Sequence, residues 1–135
     1  MPLLLVRHAS AGDRAQWVGD DRERPLDKRG RKRAEELVAQ LEPYPIEAIL
    51  SSPARRCVET VEPLARARGL EIEQRSELGE ELQATEGVAL VRSLADRTVV
   101  VCGHGGLEQV LADPPRWKKG MVFVVGPGLE LLDVL

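Results

Sequence analysis

Two apolar runs each lead into a histidine, and they restrict the fold more than any other feature of the chain. LLLV passes through Arg7 into His8, and VVVC passes through Gly103 into His104. Neither run alternates with polar residues, as a strand with one wet face would. Continuous apolar runs of this length are the pattern of parallel strands covered on both faces. Each histidine is followed by small residues, and the chain has no others. In an open parallel sheet, ligands bind in the crevice outside the carboxyl ends of the strands. Two imidazoles at two such ends are therefore expected to face one pocket.

The remaining pattern alternates strands with helices. Strands are expected over 3–6, 46–50, 70–73, 98–102, 121–125 and 129–134, the last of them antiparallel to the one before. Asp27 is placed to cap a helix to about residue 42, with Ala34, Leu37, Val38 and Leu41 on its apolar face and Pro43 and Pro45 ending it. Ser52 at the N-cap and Pro53 in the first turn predict a second helix with Cys57, Val61, Leu64 and Ala65 as its stripe. Pro63 is expected to kink it and Gly69 to end it. Further helices are expected over 84–94 and 105–112. Residues 9–26 read as a long polar loop, which in a compact domain is usually functional. The fold class is α/β: a three-layer sandwich with a mostly parallel central sheet and helices on both faces.

At 135 residues the chain is expected to be one domain, 1–135. A net charge of −3 argues against a nucleic-acid surface. No apolar run approaches the roughly 20 residues that span a bilayer. The start MPLLLVRH lacks the features of a signal peptide, so a cytoplasmic location is expected. The two cysteines, Cys57 and Cys102, lack the paired spacing of a zinc site. A cysteine-dependent phosphatase would need an arginine six residues after its cysteine, where Pro63 and Glu108 stand. Both cysteines are expected in the core.

Arg7 precedes His8, and Arg55 follows the strand at AILSSPAR. Two histidines and two arginines converging on one pocket point to phosphoryl transfer. The plainer reading is surface ion pairing with the many carboxylates. Against that, Arg55 opens a helix, where a cation opposes the dipole unless it has another use. Arg56 is expected at the surface, and Ser51, Ser52 and Pro53 are expected to serve capping. Trp17 and Trp117 are expected to pack, with base stacking the alternative. Lys118 and Lys119 read as a solvated turn, with an anion contact the alternative.

RHA at residues 7–9, RPLDKRG at 24–30, SSPARRCVET at 51–60 and GHGG at 103–106 stand in the order of the histidine phosphatase superfamily, and nearly the whole chain resembles it. The small size resembles the SixA-type branch of phosphohistidine phosphatases. The pattern is also similar to histidine phosphatase domains fused to Nudix domains. The resemblance implies a phosphoglycerate mutase-like fold without a large lid insert. It implies His8 as the nucleophile that becomes phosphohistidine, with Arg7, Arg55 and His104 holding the phosphoryl oxygens. It implies an acid near the end of the third strand, which Glu80 fits, with Glu81 as rival. A glutamate beside apolar walls is expected to have a raised pKa, suiting an acid. Gly105 and Gly106 are expected to open a helix with free N–H groups. Arg14 stands where larger relatives carry asparagine, a substrate contact made cationic. Arg24 is expected to fix the long loop to a carboxylate, with substrate binding the alternative.

The expected activity is a phosphatase needing no metal or cofactor, because guanidinium and imidazole groups supply the charge stabilisation. Expected substrates are a phosphorylated small molecule, a nucleotide or a phosphohistidine protein. The alternatives are a catalytically silent phospho-ligand module on the same fold and a phosphomutase. The short stretch between Glu81 and His104 leaves little room for a lid, which disfavours the mutase.

Overall fold

In the computed structural model, which describes residues 2–135, the first apolar run forms β1 (Leu3–Arg7) inside a six-stranded sheet. β2 (Ala48–Ser51), β3 (Ile72–Gln74), β4 (Val99–Gly103), β5 (Val122–Val125) and β6 (Leu131–Val134) complete it in the order β3-β2-β4-β1-β5-β6. The pairs β3–β2, β2–β4 and β4–β1 are parallel. β6 runs antiparallel to β5 as expected, but β5 is itself antiparallel to β1, so the sheet is mixed.

The missing alternation in the two histidine-bearing runs has a direct cause. Leu3 and Leu5 of β1 pack on one face with Val99 and Val101 of β4, while Leu4 and Val6 pack on the other with Val100 and Cys102. The four apolar side chains of β1 are fully buried, each contributing about 1.5–3 kcal/mol of hydrophobic stabilisation. One face is covered by α1 (Lys28–Gln40) and α2 (Arg55–Arg68), the other by the short α3 (Val88–Ser93) and a 3-10 turn, Leu107–Val110. Both cysteines are free thiols in the core.

Local chemistry explains where elements depart from the sequence expectation. Asp27 caps α1 by accepting from Gly30 N at 2.8 Å. α2 begins at Arg55, after Ala54; Ser52 Oγ accepts from Ala54 N at 3.2 Å, in keeping with its expected capping role, and also bonds His104 Nε2. The helix runs through Pro63 to Arg68, its buried stripe against the sheet outweighing one lost backbone bond. The helix expected over 84–94 is a π-helical turn, Gln83–Gly87, followed by α3. The helix expected over 105–112 is only the 3-10 turn at 107–110. Trp117 is buried and stacks on Phe123 at 5.7 Å between ring centroids. Trp17 does not pack in the core; its ring lies partly exposed and donates to the Asp20 carbonyl at 2.9 Å. Among the described residues no helix is long and apolar enough to cross a membrane.

Candidate active site

Strand register brings the two histidines together. β1 and β4 are parallel neighbours with Arg7 opposite Gly103, so the next residue of each, His8 and His104, leaves the sheet beside the other. Their ring centroids lie 5.4 Å apart at 65°. The chain leaves β1 toward the α1 face and β4 toward the α3 face, so the crevice between them is a topological switch point.

His8 is 5% exposed and its Nδ1 lies 2.9 Å from the Ala9 carbonyl. A carbonyl only accepts, so Nδ1 carries the proton and Nε2 keeps its lone pair. Burial pushes the His8 pKa down to about 3, with His104, Arg56 and Arg7 adding to the shift against the Ala9 hydrogen bond. The ring is therefore a neutral base at physiological pH. An unfolded histidine titrates near 6.5, so between that pH and about 3 the unfolded chain binds a proton that the folded chain excludes. Folding stability contributed by the neutral ring is present above 6.5 and lost as pH falls toward 3. His8→Asn should accordingly gain stability relative to wild type through that window and track it at higher pH. Denaturant melts across pH test this; parallel curves would count against it.

His104 is 2% exposed. Its Nε2 shares a hydrogen bond of 2.9 Å with Ser52 Oγ and lies 3.6 Å from Cys57 Sγ. Gln83 fixes the backbone here: its Oε1 accepts from His104 N at 2.9 Å and its Nε2 donates to the Gly105 carbonyl at 2.5 Å. Arg7 donates to the Trp117 carbonyl at 2.6 Å. Gly105 lies under this guanidinium; a Cβ there would come within 3.3 Å of Arg7 Cζ, so a side chain would push the arginine aside.

The second arginine of the site is Arg56, which corrects both expectations for this pair. Arg56 is 1% exposed and lines a cavity of about 590 Å³ with Ser52, Glu80 and His104. It donates to the Asp21 carbonyl at 2.8 Å, and its other terminal nitrogen lies 3.3 Å from Asp21 Oδ2 and 3.5 Å from Glu80 Oε1. Arg55 lies outside the cavity, 51% exposed and paired with Glu59 at 2.9 Å. Helix phase is the reason: Arg56 shares the face of Cys57 and Thr60, which α2 buries, whereas Arg55 shares the face of Glu59.

A second cavity of about 290 Å³ shares Glu80 and His104 with the first and is otherwise lined by Arg7, His8, Arg14, Arg24, Gly105 and Lys119. Arg24 does fix the long loop, donating to Asp21 Oδ1 at 2.9 Å and to the Ala11 carbonyl at 2.5 Å, and it faces this cavity as well. Lys119 faces the cavity rather than only solvent. Glu80 accepts from Arg14 at 2.7 and 3.0 Å. Burial raises the Glu80 pKa, but the Arg14 hydrogen bond and the charges of His104, Arg14 and Arg56 outweigh it, so the carboxyl sits below its ordinary value. The expected upward shift is thus reversed. Gly106 does not offer a free N–H, since it donates to Glu108 Oε2 at 2.7 Å. Glu81 lines the larger cavity only.

Three buried nitrogens of these side chains have no hydrogen-bond partner among the described residues: Arg7 Nε, Arg56 Nε and His104 Nδ1. Buried polar groups are rarely left so; Arg7 lines the smaller cavity, Arg56 the larger and His104 both, a cationic lining that suits an anion.

The clamp behind His8 was not visible as a site in the sequence. Thr60 Oγ1 accepts from Ala9 N at 3.0 Å and donates to the Arg56 carbonyl at 2.7 Å, tying the nucleophile's neighbour to α2. Asp27, read only as a helix cap, also accepts from Ser10 Oγ at 2.5 Å and Gly12 N at 3.0 Å. Gly30 permits this closeness: a Cβ there would fall 2.0 Å from the Ser10 carbonyl oxygen. Asp27→Ala should cost about 1–2 kcal/mol of stability through the lost cap and loop contacts. Urea unfolding measures it, and a loss under about 0.5 kcal/mol would show the clamp to be incidental.

A family model, the histidine phosphatase superfamily (branch 1), matches residues 3–90. The chain is 43% identical over 108 residues to an 8-oxo-(d)GTP phosphatase of Mycolicibacterium smegmatis; the match covers 76% of this chain and 34% of that protein. The chain thus spans about a third of its curated relative's length. The structure is similar to that of the protein histidine phosphatase SixA complexed with tungstate, with a TM-score of 0.83 and 20% identity over 100% of this chain and 96% of that one. It is also similar to a protein of Agrobacterium tumefaciens assigned as a SixA phosphohistidine phosphatase, with a TM-score of 0.82 and 25% identity over 99% and 96% of the two chains.

Proposed function

Because the chain belongs to the histidine phosphatase superfamily, we propose that it is a phosphatase that hydrolyses a phosphomonoester or a phosphohistidine through a covalent phosphohistidine on His8. The observation that carries this reading is the state of His8. Its Nδ1 proton is held by the Ala9 carbonyl, its pKa is pushed down to about 3, and it lines a cavity walled by Arg7, Arg24 and His104. A neutral imidazole with a committed Nδ1 is a nucleophile at Nε2.

The chemistry divides into two displacements. His8 Nε2 forms a bond to phosphorus as the bond to the leaving oxygen breaks, and that oxygen takes a proton from Glu80. Water then attacks the phosphohistidine, Glu80 takes its proton, and orthophosphate departs with the N–P bond broken. Arg7, Arg56 and His104, which line the two cavities, hold the phosphoryl oxygens and so stabilise the charge spread over them in the transition state. Gly105 allows Arg7 its position, and Arg24 with Lys119 adds positive charge to the wall. The curated relative supports a nucleotide as substrate and the SixA likeness supports a phosphohistidine protein; a small phosphomonoester is the third class.

The test is to trap the intermediate. Incubation with an aryl phosphate in EDTA, followed by an alkaline quench, should leave one phosphoryl group on the peptide containing His8, removed by acid. Turnover with no such adduct would sink the covalent mechanism. Tight phosphate binding with neither turnover nor adduct would identify a silent binding module.

A further inference from the structure

Five arginines line the two cavities; Arg22 pairs with Asp20 beside it, and three others are fixed by carbonyl oxygens. Arg7 is held by Trp117, Arg56 by Asp21 and Arg24 by Ala11. Arg14 differs. It stands on a three-residue 3-10 turn, Arg14–Gln16, in the long loop, and its side chain is 58% exposed. One nitrogen, Nη2, makes its polar contacts: Glu80 Oε2 at 2.7 Å, Glu80 Oε1 at 3.0 Å and Asp21 Oδ2 at 3.3 Å. Both residues line the cavity that His8 lines, and the pair joins residues 9–26 to the turn before α3.

Resting on the phosphatase reading above, we propose that Arg14 is exchanged between two anions: it pairs with Glu80 until a phosphoryl group enters, then moves onto a phosphoryl oxygen and leaves Glu80 free to take up the proton that the leaving oxygen needs.

Energetics favour the exchange in this direction. A pair this exposed is screened by solvent and contributes little, so breaking it costs little. A guanidinium on a phosphoryl dianion makes stronger, charge-assisted bonds and can use two donors in parallel. The groups nearest Glu80 are Arg14 and Asp21 from the loop, Arg56 from α2, His104 after β4 and Glu81 beside it in the chain; Asp20, Arg22, Arg24, Arg7, His8 and Lys119 line the same two cavities. Once Arg14 turns to a dianion, the carboxyl loses its 2.7 Å cationic partner and gains the dianion as a negative neighbour beside Asp21 and Glu81, so its proton affinity rises. The proton comes from solvent as substrate binds and goes to the leaving oxygen as the P–O bond breaks. The lowered Glu80 pKa in the paired state then fits its role as an acid that loads on binding.

Sulfate is the probe, because it stays a dianion across the working range. Its affinity is measured by titration calorimetry for wild type, Arg14→Gln, Arg14→Lys, Glu80→Gln and the Arg14→Gln/Glu80→Gln double variant. If Arg14 reaches the anion, Arg14→Gln weakens sulfate about tenfold even in the Glu80→Gln background, and Arg14→Lys recovers part of the loss. If Arg14 only masks Glu80, the substitution has no effect in that background and the proposal fails. In buffers of different ionisation heat, sulfate binding near pH 5.5 should take up a fraction of a proton in wild type and none in Glu80→Gln. Equal uptake in both proteins would also overturn the exchange. The two readings fail separately: absent turnover with Arg14-dependent sulfate binding sinks the phosphatase alone, and intact turnover without Arg14 dependence sinks the exchange alone.

Discussion

Replacing His8 with alanine should lower kcat on an aryl phosphate by about four to six orders of magnitude, the scale seen when a covalent nucleophile is removed. No other group in the cavity can take its place. His104 is the only other imidazole, and its Nε2 is committed to Ser52 while its ring stands edge-on to His8. Serine attack is equally unfavourable, because Ser52 Oγ already contacts His104 Nε2 and accepts from Ala54 N. Sulfate affinity should change far less than kcat, since Arg7, Arg56 and His104 remain. The comparison separates a nucleophile from a general anion contact. If kcat falls less than about a hundredfold while binding falls in proportion, His8 is only a ligand to the phosphoryl group and the covalent route is wrong.

Arg56→Ala and Arg55→Ala should differ by about two to three orders of magnitude in kcat/KM, although the residues are adjacent. Arg56 is buried at the cavity wall with an unpaired Nε; Arg55 is exposed on the far side of the helix turn. Truncating Arg56 removes a charge that stabilises the transition state, and it leaves Asp21 and Glu80 with fewer cationic partners. It should therefore also lower the melting temperature by several degrees. Arg55→Ala should stay within about twofold of wild type, losing one exposed pair worth under 1 kcal/mol. Arg56→Lys is the control for folding: it keeps the charge but loses the planar fork, and should retain stability better than activity. A large loss in Arg55→Ala with Arg56→Ala near wild type would restore the sequence assignment and overturn the structural one.

That pair of arginines shows where reading the sequence stops. The strand-end argument places a cationic residue after β2, but one step along a helix rotates a side chain by about 100°. The information was partly present. Cys57, Val61 and Leu64 were read as the buried stripe of α2, and extending that stripe backward through Thr60 reaches Arg56. Pairing preference pulled the other way, since an arginine at the start of a helix needs a reason to be there, and Glu59 supplied one for Arg55 at no functional level.

Other parts of the site were legible because they depend on short-range chemistry. Asp27 capping α1 follows from one side chain and the helix it precedes. The two apolar runs required strands buried on both faces, and strands so buried carry their next residues to one sheet edge. The helix expected over 84–94 is present over 83–93 with its first turn π-helical, and Gln83 at its head bonds the backbone of His104 and Gly105, a contact some 21 residues away that no local pattern encodes. Ser52 takes the local contact its position suggests, accepting from Ala54 N, but its second bond, to His104, joins residues 52 positions apart and is set only by the sheet.

The sequence by itself therefore determined that a mostly parallel sheet is covered on both faces, that His8 and His104 end two of its strands, and that four ordered motifs carry the family likeness. Those properties follow from side-chain polarity and spacing, which act over a few residues. Tertiary structure alone decided that β1 lies beside β4 with Arg7 opposite Gly103, which sets the histidines 5.4 Å apart. It alone decided which arginine enters the cavity and that Arg14 reaches across to Glu80. These depend on register, helix phase and the electrostatic competition among groups distant in sequence, none of which is fixed until the layers have packed.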